Sequence, residues 1–363
     1  MSVRRIGILT AGGDCPGLNA VIRAVVKSAA RRKPSIEVVG ILDGYAGLVE
    51  GRTRALDDND VSGLLPRGGT ILGTSNRDNP FKYIGKQNSK PQDRSKDLLK
   101  TIERDRLDAL IAVGGDGTLS GALAISRLGV PVIGVPKTID NDLNGTNVTF
   151  GYDTAVTIAT EAIDRLHTTA ESHHRVLICE VMGRNAGWIA LRSGMAGGGD
   201  VIVIPEIPYS IPHICEALQD RIRRGKNFSI LVVAEGAKPV GGTIVSQGAA
   251  DRRSADPRPR LGGISQVIAR DVEDLSDSDA RVVILGHLQR GGTPTAFDRW
   301  LATCFGIHAV NLAEKGLWNH MTALQGNHIG EIPIAEAVGK PRRVDPQGES
   351  VQAARMVGTS FGD

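Results

Sequence analysis

The sequence predicts an α/β protein with mainly parallel sheets covered by helices. Three observations lead there. Short apolar runs of four to seven residues alternate with longer amphipathic stretches along most of the chain. Glycine is unusually abundant, at 45 of 363 residues, against an average near 7%. Those glycines cluster just after apolar runs, as AGGD, RGGT, VGGDGT, AGGG and a second RGGT, with no period of three. Glycine there lets the backbone adopt positive φ and approach a ligand closely.

The elements follow in order. Arg5–Thr10 reads as a buried strand, followed by a glycine loop and a helix over Leu18–Arg31. Val38–Leu42 is a second strand. Leu107–Val113 is a third, leading through Gly-Gly-Asp-Gly-Thr into a helix over Leu119–Leu128. Val132–Val135 is a strand, Tyr152–Ala170 a helix, Arg175–Val181 a strand. The alternation continues through strand Val201–Ile204, helix Pro212–Arg224 and strand Ser229–Ala234. Strand Arg281–Leu285 precedes a helix over Thr295–Lys315. Ala249–Pro259 is charged and nearly devoid of apolar residues, and reads as a surface loop. The stretch after Pro341 is weakly patterned.

Length and composition set the class. At 363 residues the chain suits two lobes or one large unit. Hydrophobic residues are 41% and charged residues 23%, ordinary for a globular protein. A formal net charge of +3 gives no reason to expect a nucleic-acid partner. No run of 18 apolar residues indicates a membrane span, and the first residues lack a signal-peptide core. Cys15, Cys179, Cys215 and Cys304 are scattered, which disfavours zinc and a disulfide framework. A cytoplasmic location is the expectation.

In such sheets ligands bind beyond the carboxyl ends of the strands, and four polar loops fall there. Gly12-Gly13-Asp14-Cys15-Pro16-Gly17 and Gly114-Gly115-Asp116-Gly117-Thr118 each offer backbone N–H groups at a helix start, an anion site. Neither has the Walker or GxGxxG spacing, and each alone could be a plain turn. Asp116 among phosphate-binding amides makes sense if it helps to hold magnesium. Pro136-Lys137-Thr138-Ile139-Asp140-Asn141-Asp142 supplies two carboxylates, a hydroxyl and a lysine. Phosphoryl transfer to an alcohol needs that set: a base, a metal ligand and positive charge. Met182-Gly183-Arg184-Asn185-Ala186-Gly187 opens a helix with an arginine suited to a sugar phosphate. Arg175, Arg281, His287 and Arg290 lie on or beyond apolar strands, and Glu235 ends another.

Taken in order, Gly-Gly-Asp-Cys-Pro-Gly-Leu-Asn, Gly-Gly-Asp-Gly-Thr, Pro-Lys-Thr-Ile-Asp-Asn-Asp, Val-Met-Gly-Arg, Ala-Glu-Gly and Gly-His-Leu-Gln-Arg-Gly-Gly resemble the 6-phosphofructokinase family, from about Arg5 to Arg299. The mixture resembles its actinobacterial-type group. The expected architecture is two Rossmann-like lobes. Residues 1–150 would mainly bind donor and magnesium, 151–340 would mainly bind fructose 6-phosphate with interleaved chain crossings, and 341–363 would be a tail.

The resemblance implies roles. Asp140 is the base for the fructose 1-hydroxyl, Thr138 contacts the transferred phosphoryl, and Arg184 stabilises its charge. Asp116 and Asp142 are the Mg2+ carboxylates. Gly12, Arg77, Gly117, Thr118 and Lys137 attend the donor. Met182, Gly183, Glu235, His287 and Arg290 hold fructose 6-phosphate with Thr138, Asp140 and Arg184. Arg175 and Arg281 reach the site of a neighbouring subunit in a homotetramer. Arg23, Lys27, Arg52, Arg224 and Lys226 match a basic effector pocket, although Lys27 and Arg224 exchange lysine and arginine relative to common members, and solvated cations are the plainer reading.

The donor signature is mixed. ATP-using bacterial members usually have glycine at the position of Lys137, whereas diphosphate-using members have lysine there and aspartate at the position of Gly117. An aspartate at 117 would meet the nucleotide α-phosphate. Two unit charges ~4 Å apart cost about 4 kcal/mol at an effective dielectric of 20. Glycine removes that block, so ATP is the expected donor and diphosphate the alternative. A kinase of NAD or lipids shares Gly-Gly-Asp-Gly-Thr but leaves the third loop unexplained. A non-catalytic sugar-phosphate sensor would have no need of Asp140 or Asp116.

Overall fold

The computed structural model describes residues 3–84, 90–246, 248 and 261–363. The loop expected over Ala249–Pro259 therefore lies outside the described residues. The chain folds as two sheets with helices on their faces. The first half gives β1 (Arg5–Thr10), α1 (Leu18–Ala30), β2 (Glu37–Ile41), α2 (Tyr45–Glu50), β3 (Thr53–Leu56), α3 (Ser95–Arg104), β4 (Ala109–Gly114), α4 (Asp116–Ser126) and β5 (Val132–Pro136). Then come α5 (Tyr152–His173), β6 (Val176–Val181), α6 (Trp188–Ala196), β7 (Val201–Val203), α7 (Ile211–Arg223), β8 (Ser229–Ala234), α8 (Ile264–Leu275) and β9 (Ala280–Ile284). The chain closes with α9 (Ala296–Lys315), β10 (His320–Gln325), β11 (His328–Pro333), α10 (Ile334–Ala337) and α11 (Glu349–Met356).

Seven strands form the first sheet, in the order β11-β10-β5-β4-β1-β2-β3, and four form the second, in the order β7-β8-β6-β9. The second sheet is wholly parallel. In the first, β2, β1, β4, β5 and β10 run parallel, and antiparallel β3 and β11 close the edges. Strands β4, β5, β6 and β8, apolar except for Glu180 and Ser229, are buried along their whole length, as parallel strands covered on both faces must be. One apolar cluster runs from Ile8 and Val113 through Phe150 to Cys179 and Val232, and so joins the two sheets. Helix α9 lies against α1, and Gly306 permits the close approach: a Cβ there would stand 2.7 Å from the Ala24 methyl and 2.9 Å from the Val21 carbonyl.

Three features differ from the sequence expectation. Helix α4 begins at Asp116, not at the first apolar residue, Leu119, because the backbone needs only N-terminal polar groups there, and an acidic residue suits the first turn. The hairpin β10–β11 returns to the first sheet, where His320 and Met321 pair with Ile133 and Gly134. The stretch after Pro341 is well packed. Val351, Ala354 and Phe361 are buried, and the Ile202 N–H donates to the Ser360 carbonyl at 2.9 Å, which extends the β7 edge. Among the described residues no helix is long and apolar enough to cross a membrane.

Candidate active site

The carboxyl ends of β1, β4 and β5 open onto one cleft of about 510 Å³. Three loops and a neighbouring polar segment line it. After β1, the Ala11 N–H donates to the Val113 carbonyl, and the Gly12 N–H turns away to the Ser75 carbonyl, each at 3.0 Å. Gly12 has φ +82°, and its missing side chain leaves the Thr118 hydroxyl and the Lys137 amine just beyond it. After β4, Gly115 precedes α4, so the first-turn amides around Asp116, Gly117 and Thr118 face the cleft. The Tyr45 hydroxyl fixes this turn by donating to the Thr118 carbonyl at 2.5 Å. Gly117 is exposed, and a Cβ built on it meets nothing within 4 Å.

The loop after β5 is braced from inside. Asn141 sits at φ +52°, its side-chain oxygen accepts the Thr149 N–H at 3.0 Å, and the Thr149 hydroxyl donates to the Thr138 carbonyl at 2.7 Å. The Thr138 hydroxyl accepts the Asp140 N–H at 3.1 Å. This bracing brings Lys137, Thr138, Asp140 and Asp142 into the cleft wall together. Burial raises the Asp140 carboxyl above its ordinary range, while Arg290, Lys137 and Arg184 pull it down. Lys137 is only 4% exposed. Its amine donates to the Gly13 carbonyl, and desolvation lowers its pKa.

Asp116 and Asp142 form a carboxylate pair rather than a cage, and no group of three metal-ligating side chains occurs among the described residues. Magnesium commonly takes one or two carboxylates and leaves its remaining positions to phosphates and water, so the pair fits that ion. Asp142 is pushed up to about 6 by burial, then by Asp140, with Asp116 adding to the repulsion. A divalent cation would relieve that crowding. Asp116 also accepts the Gly339 N–H at 2.6 Å, and the Arg342 N–H donates to the Asp142 carbonyl at 2.7 Å. The chain after α10 thus laces over both acids.

The second sheet presents the remaining carboxyl-end residues. Met182 follows β6, and its N–H is held by the Gln289 side chain at 2.8 Å. Gly183 has φ +132°, a conformation a side chain would oppose. Glu235 follows β8, its N–H donating to the Val181 carbonyl at 2.9 Å. Its carboxyl is pushed up to about 7, first by burial and then by Asp140 and Glu180, against the pull of Arg290 and Arg184. The two arginines thus influence both Asp140 and Glu235. Arg290 bridges the sheets, donating to the Asp14 carbonyl at 3.1 Å. His287 is exposed on the short 3₁₀ turn Gly286–Arg290.

Other sequence-derived residues are not in the cleft lining. Arg77 is exposed, on a loop whose neighbours Ser75, Asn76, Asp78 and Asn79 do line it. Arg175 and Arg281 lie at the opposite, amino ends of β6 and β9, where both pair with Asp279. The five basic positions of the effector set do not assemble within one chain. Lys27 pairs with Asp58, Arg52 with Asp43 and Glu50, and Arg224 lines a separate cleft beside Asp220 and Arg221. Sequence reasoning missed Tyr45, Ser75, Asn76, Asp78, Asn79 and Gly121 as lining residues. The polar run from Thr74 to Asn79 was the available signal.

Known proteins resemble this chain in sequence and in fold. The family model described as "Phosphofructokinase" matches residues 5–313. The ATP-dependent 6-phosphofructokinase 2 of Clostridium perfringens is 52% identical over 99% of this chain and 99% of its own. The ATP-dependent 6-phosphofructokinase of Mycobacterium tuberculosis is 49% identical over 98% of this chain and 100% of its own. Among solved structures, phosphofructokinase from Pichia pastoris in the T-state aligns with TM-score 0.79 at 30% identity, over 99% of this chain and 37% of that one. A pyrophosphate-dependent phosphofructokinase from Marinobacter aquaeolei shares the fold with TM-score 0.80 at 21% identity, over 99% and 88% of the two chains. With its cleft built from the matched segment, the chain belongs to the phosphofructokinase family.

Proposed function

We propose that this chain is an ATP-dependent 6-phosphofructokinase, transferring the γ-phosphoryl of ATP to the 1-hydroxyl of fructose 6-phosphate in glycolysis. The observation that carries the reading is the placement of Asp140. It is partly buried near Lys137, Arg290 and Arg184, and it faces a cleft whose other wall is two glycine-rich helix starts. Asp140 takes the hydroxyl proton as the nucleophile attacks. Burial makes its carboxylate a better base, and the surrounding cations keep it ionised. Arg184 and Lys137 offset charge on the transferring group, and Thr138 orients it.

Donor phosphates lie against the amides near Gly12, Gly117 and Thr118, with Arg77 at the loop rim. Asp116 and Asp142 would hold magnesium, which neutralises phosphate charge when bound. Met182, Gly183, Glu235, His287 and Arg290 hold the sugar phosphate, placing donor chemistry mainly on residues 1–150 and acceptor chemistry mainly on 151–340. Arg175 and Arg281, remote from the cleft of their own chain, complete a neighbour's site in a homotetramer, and the enzyme works in the cytoplasm. The ATP-named relatives at about half identity and the open space over Gly117 support ATP over diphosphate.

The test is fructose 1,6-bisphosphate formation measured in parallel with magnesium plus ATP and magnesium plus diphosphate. Turnover with ATP is expected. Turnover with diphosphate alone would reject the donor assignment, and no bisphosphate from either donor would reject the reaction.

A further inference from the structure

A second cavity, of about 260 Å³, lies on the far side of the loop that carries Asp140. Its lining includes Tyr152, Trp188, Arg192, Phe297 and Arg342. None of these belongs to the catalytic set. Trp188 and Arg192 stand one helical turn apart on α6, and so share a face. The Arg342 guanidinium covers the Trp188 ring at 4.5 Å and donates to the Asn147 carbonyl at 2.7 Å. The Trp188 indole N–H donates to the Arg342 carbonyl at 3.1 Å, so the two residues hold each other.

The charges do not balance. Neither Arg192 nor Arg342 forms an ion pair with a carboxylate among the described residues. Arg342 is depressed by burial and further by the like charge of Arg192, with only Tyr152 opposing. The one acidic side chain in the lining, Asp153, accepts the Thr295 hydroxyl at 2.7 Å. Arg342 is half-buried with no carboxylate partner among the described residues, a costly arrangement without an anion. Exposed Arg192 lines the same small cavity, and the two guanidinium forks match tetrahedral oxyanions. Val156 and Phe297 supply an apolar side for a short carbon body.

We propose that this cavity is a second anion site, taking a phosphate dianion, free or as a small monoester, between Arg192 and Arg342. An occupant would act next to the catalytic acids, because the Arg342 backbone is bonded to Asp142 and Gly339 to Asp116.

Calorimetric titration of the full chain with inorganic phosphate, and separately with glycerol 3-phosphate, tests it. The catalytic cleft also accepts phosphates, so the readout is the difference between wild type and variants. Arg192→Ala, at an exposed helix position, should weaken one class of sites about tenfold. Arg342→Lys should weaken the same class less, because it keeps the charge and loses the fork. Arg343→Ala, which removes an exposed cation outside the lining, should leave it unchanged. Tighter binding of glycerol 3-phosphate than of phosphate would assign the monoester, and the reverse would assign the free ion. Superimposable titrations of wild type and Arg192→Ala would overturn the proposal, as would an equal loss in Arg343→Ala.

Discussion

Replacing Gly117 by aspartate asks whether the donor assignment rests on the right atom. The position lies in the first turn of α4, exposed at the mouth of the cleft. A Cβ there meets nothing within 4 Å and no positive φ opposes it. An acidic residue at a helix start is favourable by about 0.3–1 kcal/mol, so the variant should fold. Its carboxylate would point where the nucleotide α-phosphate is expected. At ~4 Å and an effective dielectric near 20 the repulsion is about 4 kcal/mol. Salt and exposure reduce that figure to about 1–2 kcal/mol. The expected loss in kcat/KM for ATP is therefore roughly 5-fold to 30-fold. Diphosphate has no α-phosphate beyond the transferring pair and should be spared. The assay couples fructose 1,6-bisphosphate formation to a reporter over a range of each donor. An unchanged kcat/KM for ATP would refute the placement of the nucleotide over Gly117.

Further outcomes concern assembly and stability. If Arg175 completes a neighbour's site, mixing an Arg175→Ala chain with an Asp140→Asn chain restores activity that neither has alone, and a mixture no better than its parts contradicts sharing. Phe361→Ala removes a side chain that is 0% exposed and should cost about 3–5 kcal/mol, seen as a lower midpoint in denaturant; a shift below 1 kcal/mol would mean the C-terminal segment is only loosely docked. Asp298 is buried and pushed up to about 6 from its ordinary 3.8, chiefly by desolvation. Its folded pKa is raised, so its contribution to stability is fully present below the unfolded value and is lost as pH rises through about 6. That is on the order of 3 kcal/mol across the window. Asp298→Asn should lose that pH dependence, and equal slopes for the two proteins between pH 4 and 7 would contradict it.

What the sequence made legible follows the physics of each segment. β1, β4, β5, β6 and β8 have nearly continuous apolar centres because both faces are covered, so those centres needed no tertiary information, although Arg5, Thr10, Glu180 and Ser229 interrupt the pattern. The turns after them were legible because close backbone approach and positive φ demand glycine, as at Gly12 and Gly183. The edge strand β3 carries Arg54 among exposed residues and has no such signature. The return of β10 to pair with β5 is a long-range event, invisible to local pattern. Tyr45 was missed because its role is a hydrogen bond to Thr118, 73 residues away. The docked C-terminus was hidden because only four hydrophobic side chains, Val344, Val351, Ala354 and Phe361, carry its burial.

The most direct test of the account is the rate of fructose 1,6-bisphosphate formation by Asp140→Asn, with ATP and fructose 6-phosphate both saturating. The asparagine keeps the volume and removes the base. With Asp140 as the group that takes the 1-hydroxyl proton, kcat falls by about 10²–10⁴ while fructose 6-phosphate affinity stays within severalfold. Turnover close to wild type would contradict the account.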